Sequence, residues 1–255
     1  MKMTNKIAIS VITTIALSIG AYATCVNDVD MGNNKITTTA TTFNDNELVN
    51  KSYVDDAITN ASSITAPTGY EVIYVNGVAW LDRNIGATTA CTTVDGDATC
   101  HGGLYQWGRP ADGHQVRTSS TQAGPTSDIQ PEHGDFITIG AFPYNWLDSN
   151  EIYLWSTPGS TNNGVCPAGW SVPSEQDFKD LSLASSADAF TKLKLTESGY
   201  RNRTDGTVSS VGSRGYYWSA TVDGESSRHM HINSGGAYFS SNYRAYGFSV
   251  RCLKY

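Results

Sequence analysis

The most restrictive feature of the sequence is the stretch from residue 83 to residue 165, which shows little hydrophobic periodicity and is rich in Gly, Asp, Thr and Pro. Without a repeat of two or of 3.6 residues, such a stretch predicts loops rather than strands or helices. Loops of this length are unusual inside one compact domain. The chain is therefore expected to adopt a fold that keeps long loops ordered.

Regular elements are predicted on both sides of this stretch. Residues 72–75 and 78–81 are strand-like runs around an Asn-Gly pair, a pattern typical of a two-residue hairpin. Ser174 predicts the N-cap of a helix that buries Phe178 and Leu181. Closing strands are predicted at residues 216–220, 229–232, 237–239 and 248–251.

The composition excludes several classes of protein. Hydrophobic residues make up 39% and aromatic residues 11% of the 255 residues, which is enough to fill a core and argues against a disordered chain. The 24 Gly and 14 Tyr residues favour a turn-rich, partly β protein over a helical bundle. A net charge of −7 argues against binding to nucleic acid or to an anionic membrane, which requires a basic face.

Residues 1–23 have the pattern of a secretory signal. Lys2 and Lys6 precede a mostly apolar stretch at residues 7–19, and Ala-Tyr-Ala at residues 21–23 forms an A-x-A cleavage site. No later segment approaches the roughly 18 apolar residues of a membrane span, so no membrane insertion is expected. The chain is thus predicted to be secreted or displayed on the cell surface.

An oxidising destination makes disulfides the expected state of most of the five cysteines. Cys91 and Cys100 flank a turn-forming Asp-Gly-Asp sequence, so they can close a local loop. Spacing alone leaves the other pairings among Cys91, Cys100, Cys166 and Cys252 open. Because the count is odd, one cysteine must remain outside these pairs.

Residues 24–65 differ from the globular part predicted at residues 66–255. They contain no Trp or Pro, are rich in Thr, Asn and Asp, and include one short predicted helix at residues 46–61. The strings DMGNNKIT (residues 30–37) and VNKSYVDDAI (residues 49–58) resemble the repeat of phage tail-fibre shafts, which form homotrimeric stalks. This resemblance implies a homotrimer through residues 24–65, and a flexible polar spacer is the alternative.

Six further strings, in matching order and spacing over about residues 70–254, resemble the Fibrobacter succinogenes major paralogous domain. They are VNGVAWLDRN (75–84), GLYQWGRPADGHQ (103–115), CPAGWSVPS (166–174), LKL with GYR (193–195 and 199–201), YWS (217–219) and GFSVRC (247–252). The resemblance implies an α+β, C-type-lectin-like fold, in which two short helices pack on a small twisted mixed sheet with long ordered loops. Formylglycine-generating enzymes share that fold.

The same resemblance carries expectations for function. Members of the family are exported bacterial proteins, and in some proteins of this fold a diversity-generating retroelement varies the C-terminal residues. Cys166 and Cys252 lie inside two of the matching strings, which implies a disulfide between them. Cys25 is then left over, either as a free thiol or in an intermolecular bridge.

Metal or catalytic chemistry has little support in the sequence. Asp95 and Asp97 hint at calcium but lack the spaced oxygen ligands of a calcium loop, and His229 and His231 share a strand face without a third zinc ligand. The acid and base groups at residues 132–135 are only sequence neighbours, and no catalytic motif occurs. No cofactor, metal site or catalytic residue is therefore predicted, and the chain is not expected to be an enzyme.

Two further groups of residues are expected to be structural. Arg109, Asp112 and His114 occur in a polar, Gly-rich loop and are expected to form a buried hydrogen-bond network, because such a loop must satisfy its own backbone. Trp170 and Trp218 occur in apolar strings and are expected in the core.

The stretch from residue 223 to residue 246 is rich in Ser, Asn, Tyr, Arg and His, a composition typical of antibody-like binding surfaces. The residues predicted to bind a ligand are Tyr217, Arg228, His229, His231, Asn233, Tyr238, Ser240, Asn242, Tyr243 and Arg244. The expected function is recognition of an extracellular protein or glycan. One alternative is a structural surface or fibre subunit. A less favoured alternative is an enzyme of the formylglycine-generating type, which needs a pair of reactive cysteines near the C-terminus, where this chain has only Cys252.

Overall fold

A computed structural model of the chain describes residues 64–131, 133–155 and 164–255. Most of the described residues belong to one compact unit, formed by Ala66–Ile73 with Ala79–Tyr255. The predicted signal and Cys25 lie outside the described residues, as does the predicted trimer stem except for residues 64 and 65.

The described residues form twelve strands and two short helices. The strands are β1 (Val72–Val75), β2 (Val78–Leu81), β3 (Tyr105–Gln106), β4 (Thr121–Ala123), β5 (Phe136–Thr138), β6 (Ser198–Arg201), β7 (Val208–Val211), β8 (Gly215–Asp223), β9 (Ser226–Asn233), β10 (Gly236–Tyr243), β11 (Gly247–Phe248) and β12 (Leu253–Lys254). The helices are α1 (Glu175–Asp180) and α2 (Ser186–Leu193).

The described strands form three sheets. The largest has the order β10-β9-β8-β6-β11-β3, and β7 also pairs with β6. Its long antiparallel part consists of β8, β9 and β10, and β10 pairs with β9 without interruption from Gly236 to Tyr243. The smaller sheets have the orders β1-β2-β12 and β4-β5, the latter a parallel pair.

The α+β, C-type-lectin-like class predicted from the family resemblance is wrong for this structure. Strands make up 31% of it and helices only 8%, in two helices of 6 and 8 residues. A seven-stranded sheet takes the place of the small mixed sheet. Three of the short strands predicted near the C-terminus are 9, 8 and 8 residues long. Continuous pairing in register overrides the low strand preference of the Ser and Asn residues in β10.

Two local predictions are confirmed. Asn76 and Gly77 both have positive φ, 52° and 79°, which the two-residue turn of a hairpin requires. Ser174 caps α1 through a capping box, because its hydroxyl accepts from the N–H of Asp177 while the Asp177 carboxylate accepts from the N–H of Ser174. Phe178, predicted on the buried face of this helix, is 1% exposed.

Disulfides connect Cys91 to Cys100 and Cys166 to Cys252, so both expected pairs are confirmed. The first closes a local loop of sequence separation 9. The second joins the segment before α1 to the residue before β12, across a separation of 86 residues. This long-range bond encloses both helices and the long antiparallel part of the large sheet.

Buried arginines bind the loops together. Arg109, Arg201, Arg244 and Arg251 are all at most 2% exposed, and among the described residues only Arg109 of these four forms an ion pair. The other three donate mainly to backbone carbonyl oxygens. The acceptors are those of Leu81, Leu193 and Lys194 for Arg251, of His114, Val116, Ser119 and Gly206 for Arg201, and of Glu151, Gly224 and Ser226 for Arg244. These carbonyls lie in loops or at the ends of strands and helices, where regular pairing stops, and the guanidinium groups supply hydrogen-bond donors to them.

Tryptophans fill the core and also donate hydrogen bonds to backbone carbonyl oxygens. The indole N–H of Trp107 donates to the carbonyl of Ser219 at 2.8 Å, and that of Trp218 donates to the carbonyl of Tyr105 at 2.8 Å. The expectation that Trp170 and Trp218 are core residues is confirmed, since they are 5% and 0% exposed.

The two disulfides are expected to differ in their contribution to stability. Replacing Cys166 and Cys252 together by Ala should lower the free energy of unfolding by about 4–5 kcal/mol, and replacing Cys91 and Cys100 together by about 2–3 kcal/mol, because the longer loop restricts the unfolded chain more. Urea denaturation of both double variants measures the difference. Equal losses would contradict this ranking.

Arg251→Lys should lower the free energy of unfolding by at least about 3 kcal/mol, because an ammonium group cannot reach all the carbonyl oxygens that the guanidinium serves. The matched control is Arg214→Lys at an exposed position, where the change should stay within about 0.5 kcal/mol. Urea denaturation measures both, and a small effect of Arg251→Lys would show that water replaces the lost donors.

Candidate functional site

A row of aromatic side chains crosses one face of the large sheet. Tyr238 on β10, His231 on β9 and Tyr216 on β8 are direct cross-strand partners. Tyr200 on β6 continues the line. The three successive distances between ring centroids, from Tyr238 to Tyr200, are 5.0, 5.7 and 5.1 Å. These four residues are called the aromatic row.

The aromatic row lies on the face of the sheet that points away from α1. Side chains alternate between the two faces of a strand. On the opposite face, the Phe239 ring lies 5.5 Å from the Lys179 ammonium of α1, and Arg228 forms an ion pair of 2.6 Å with Glu175. The aromatic row is partly exposed, and Tyr238 most of all, at 45%.

A buried ring supports the aromatic row from below. Phe248 lies 5.1 Å from Tyr216, 4.9 Å from His229 and 4.3 Å from Trp218, measured between ring centroids. Phe248 and Trp218 are at most 1% exposed. This packing fixes the rings before any ligand arrives, which lowers the entropic cost of binding.

The orientation of the rings decides what they offer to a ligand. The ring planes of Tyr238 and His231 are inclined by 18°, and those of His231 and Tyr216 by 26°. These two stacked contacts cover the faces of His231, so the ring edges and the phenol hydroxyls of the tyrosines remain for contact. Such a surface combines apolar area with hydrogen-bonding groups.

Two histidines contribute neutral imidazoles to this region. The Nδ1 atoms of His229 and His231 are buried and have no hydrogen-bond partner among the described residues. Burial, with a smaller contribution from His231, lowers the pKa of His229 to about 4. Burial and the nearby Arg214 lower the pKa of His231. Both imidazoles are therefore uncharged at pH 7.

A second group of rings adjoins the aromatic row. The Arg203 guanidinium lies 3.8 Å from the ring centroid of Tyr144, 5.4 Å from that of Tyr243 and 5.7 Å from that of Tyr246. These four residues are called the arginine cluster, and cation–π attraction stabilises it. Because Tyr246 also lies 6.0 Å from Tyr200, the arginine cluster and the aromatic row form one continuous surface.

Half of the residues predicted to bind a ligand lie on or beside this surface. His231 and Tyr238 belong to the aromatic row, and Tyr243 belongs to the arginine cluster. His229 and Ser240 are cross-strand partners next to the aromatic row, with 3.3 Å between His229 Nε2 and Ser240 Oγ. His229 is only 2% exposed, so its side chain lies beneath the surface and packs against it.

Three other predicted residues have local structural contacts. The Asn233 side-chain oxygen accepts from the N–H of Gly235 at 2.8 Å in the turn between β9 and β10. The Asn242 side-chain oxygen accepts from the N–H of Tyr243 at 3.0 Å. Arg228 lies on the face that carries α1, where it pairs with Glu175.

Tyr217 and Arg244 need correction, because both are interior residues and not part of a binding surface. Tyr217 is 0% exposed, and its hydroxyl donates to the carbonyl of Thr196 at 2.8 Å. Alternation along β8 places Tyr217 opposite to Tyr216, which is the residue that belongs to the aromatic row. Arg244 is 1% exposed and bonds loop carbonyls as described above.

Five residues of the surface are not among the predicted ligand-binding residues, namely Tyr144, Tyr200, Arg203, Tyr216 and Tyr246. The alternation that placed His229 and His231 on one face could have identified Tyr216, two residues before the core residue Trp218. Tyr144, Tyr200 and Arg203 lie outside the C-terminal stretch, and only the folded chain brings them to it.

The loop residues Arg109, Asp112 and His114 form a buried network, as expected. Arg109 pairs with Asp112 at 2.8 Å, and His114 Nδ1 lies 2.6 Å from the other carboxylate oxygen. The Gln106 N–H donates to His114 Nε2, so Nδ1 carries the proton. Burial would raise the pKa of Asp112, but hydrogen bonds from His114 and the charge of Arg109 lower it to about 2.

Two of the acid and base groups at residues 132–135 lie on a partly exposed loop. His133 Nδ1 and Asp135 lie 3.7 Å apart on a loop, each about 30% exposed, and Glu132 lies outside the described residues. Among residues 64–131, 133–155 and 164–255, no three His, Cys, Asp or Glu side chains converge as metal ligands. The Asp97 carboxylate accepts from the N–H and hydroxyl of Thr99.

Comparisons with known proteins add one finding. Residues 168–253 are similar to a family described as a domain of unknown function, DUF8237. No curated protein and no solved structure matches the chain. The matched segment contains α1, α2 and strands β6 to β11, and therefore most of the surface described above. Within the described residues, no helix has the length and apolar character to span a membrane.

Stability is expected to fall on acidification below pH 6.5 because of three buried histidines. Burial lowers the pKa of His101, His114 and His229 to about 4 in the folded state. Above pH 6.5 they are neutral whether folded or unfolded and contribute nothing. Between pH 6.5 and 4 only the unfolded state binds these protons, so each histidine lowers the free energy of unfolding by about 1.4 kcal/mol per pH unit.

Urea denaturation at pH 7.5, 6.5, 5.5 and 4.5 measures the decline in the free energy of unfolding. NMR of the imidazole protons tests whether the three histidines cause it. The three resonances should keep their neutral chemical shifts at pH 5.5. Titration of these resonances near pH 6.5 would contradict the expected burial effect.

Proposed function

We propose that this chain is an exported, extracellular binding protein that recognises a cell-surface protein through the aromatic row and the arginine cluster. The observation that carries this proposal is the cross-strand register of Tyr238, His231 and Tyr216, continued by Tyr200, on the sheet face that points away from α1. A pre-organised set of partly exposed tyrosines is typical of protein-binding surfaces.

The chemistry of the surface favours a protein over a glycan as its ligand. Recognition of a sugar by aromatic residues depends on an open ring face for the C–H groups of the sugar. In the aromatic row, Tyr238 and Tyr216 stack on the two sides of His231, and the tyrosines contribute ring edges and hydroxyl groups. These groups suit the mixed polar and apolar surface of a protein.

The two disulfides support an extracellular location. Disulfides persist in oxidising compartments and are rare in reducing ones. Together with the predicted secretory signal at residues 1–23, they support secretion or display on the cell surface. A trimer through residues 24–65, as predicted, would raise the avidity of such a surface without adding contacts.

The test is a double variant, Tyr238→Ala with His231→Asn, probed on an array of purified cell-surface proteins. Wild-type protein should bind at least one array protein, and the double variant should bind it at least about tenfold more weakly, as expected for loss of contacts at the centre of an interface. Tyr153→Ala is the matched control, because Tyr153 is 64% exposed and lies outside both groups.

A glycan array run in parallel distinguishes the other outcome. Binding to glycans alone, lost in the double variant, would replace the protein ligand by a glycan. Affinity of the double variant equal to that of the wild type would refute the assignment of the surface, and filaments of purified protein without array binding would favour a structural subunit.

A further inference from the structure

A groove with a volume of about 440 Å³ has no lining residue from the stretch at residues 223–246. It lies beside the ends of the parallel strands β4 and β5 and along the loop that follows β5. Its lining includes Gly124, Thr138, Phe142, Asp148 and Thr204. The volume falls within the roughly 300–1,000 Å³ typical of sites for small ligands.

Backbone hydrogen bonds hold the walls of the groove in place. The N–H of Gly124 donates to the carbonyl of Thr138 at 3.0 Å, which extends the pairing of β4 with β5. On the other wall, the N–H of Asp148 donates to the carbonyl of Thr126 at 2.9 Å. Gly124 has φ of 87°, and a Cβ atom added to it or to Gly140 would meet nothing within 4 Å. The groove is therefore open and formed in advance.

The charge of the lining limits the ligand. The lining contains no Arg, Lys or His, and its one ionisable side chain is the exposed carboxylate of Asp148. A phosphate or carboxylate ligand would meet repulsion from Asp148 without a cation in the lining, and the nearby Arg203 guanidinium is already engaged by the Ile139 carbonyl and the Tyr144 ring. Carboxylate and hydroxyl oxygens instead suit a neutral ligand that is rich in hydroxyl groups.

Phe142 supplies the apolar part of the site. Its side chain is 68% exposed, the highest exposure of any large apolar side chain except Tyr255 among the described residues. The ring contacts Tyr144 edge-on, with 6.0 Å between centroids and an interplanar angle of 87°, so this contact leaves a ring face uncovered. An uncovered aromatic face beside hydrogen-bonding oxygens matches the two sides of a sugar ring, whose C–H face is apolar and whose rim carries hydroxyls.

We propose that this groove binds a neutral saccharide. One sugar ring packs its C–H face on Phe142, and its hydroxyl groups bond to the Asp148 carboxylate and the Thr204 hydroxyl. The site shares no residue with the aromatic row or the arginine cluster, so it is independent of the protein-binding surface proposed above. Contact between Phe142 and Tyr144 nevertheless makes the two sites neighbours.

The experiment is titration calorimetry of the full chain with neutral di- and tetrasaccharides of glucose, galactose and mannose. A uronic-acid disaccharide and a linear diamine serve as charged probes. At least one neutral saccharide should bind, and Phe142→Ala and Asp148→Asn should each weaken it at least about tenfold, while Phe142→Tyr retains it. Both altered side chains are exposed, so the thermal unfolding midpoint should stay unchanged.

Tyr238→Ala is the control that separates this site from the aromatic row, because it should leave saccharide binding unchanged. Absence of binding by every neutral saccharide at millimolar concentration would overturn the proposal, as would equal affinity of wild type and Phe142→Ala. Preference for the diamine or the uronic acid would assign the groove to a charged ligand instead. None of these outcomes affects the array test of the aromatic row.

Discussion

Arg251 donates at once to the carbonyl oxygens of Leu81, Leu193 and Lys194, and so joins the end of β2 to the end of α2. Arg201 and Arg244 make the same kind of connection between loops that lie far apart in sequence. A guanidinium group has several donors and no acceptor, so one buried arginine can serve several loop carbonyls that no strand pairs with. Burial lowers the pKa of Arg251 only to about 10, and the group stays charged at neutral pH. The order of the loops around residues 114–119, 151 and 206 depends on this interaction.

The sequence is sufficient to predict features that depend only on residues close together along the chain or on the burial preference of a residue type. The Asn-Gly hairpin turn, the Ser174 capping box and the core positions of Trp170 and Trp218 follow from local conformation or from burial preference, and the structure has all of them. The lengths of β8, β9 and β10 cannot be predicted in this way, since Ser240, Ser241 and Asn242 suggest a loop when read alone. Their pairing with β9 is a tertiary effect that no window of sequence contains.

The candidate site was predicted only in part for the same reason. Composition pointed to the C-terminal stretch, and His231, Tyr238 and Tyr243 do lie on the surface. Composition contains no information on which face of a strand a side chain occupies. The predicted ligand-binding residues therefore include Tyr217 in place of its neighbour Tyr216. Tyr144 and Arg203 come from loops that are positioned by backbone bonds such as those from Ala245 to Tyr144 and from Ile139 to Arg203, and no sequence pattern connects them to β10.

The alternation of faces along β8, β9 and β10 also constrains how this protein can change. Two residues of the aromatic row have core residues as chain neighbours, since Tyr216 has Tyr217 and His231 has both Met230 and Ile232. A one-residue insertion in any of these strands would turn the core residues outward and the row inward beyond that point. Exchange of side chains at fixed positions preserves this alternation, whereas a change in the length of a strand does not.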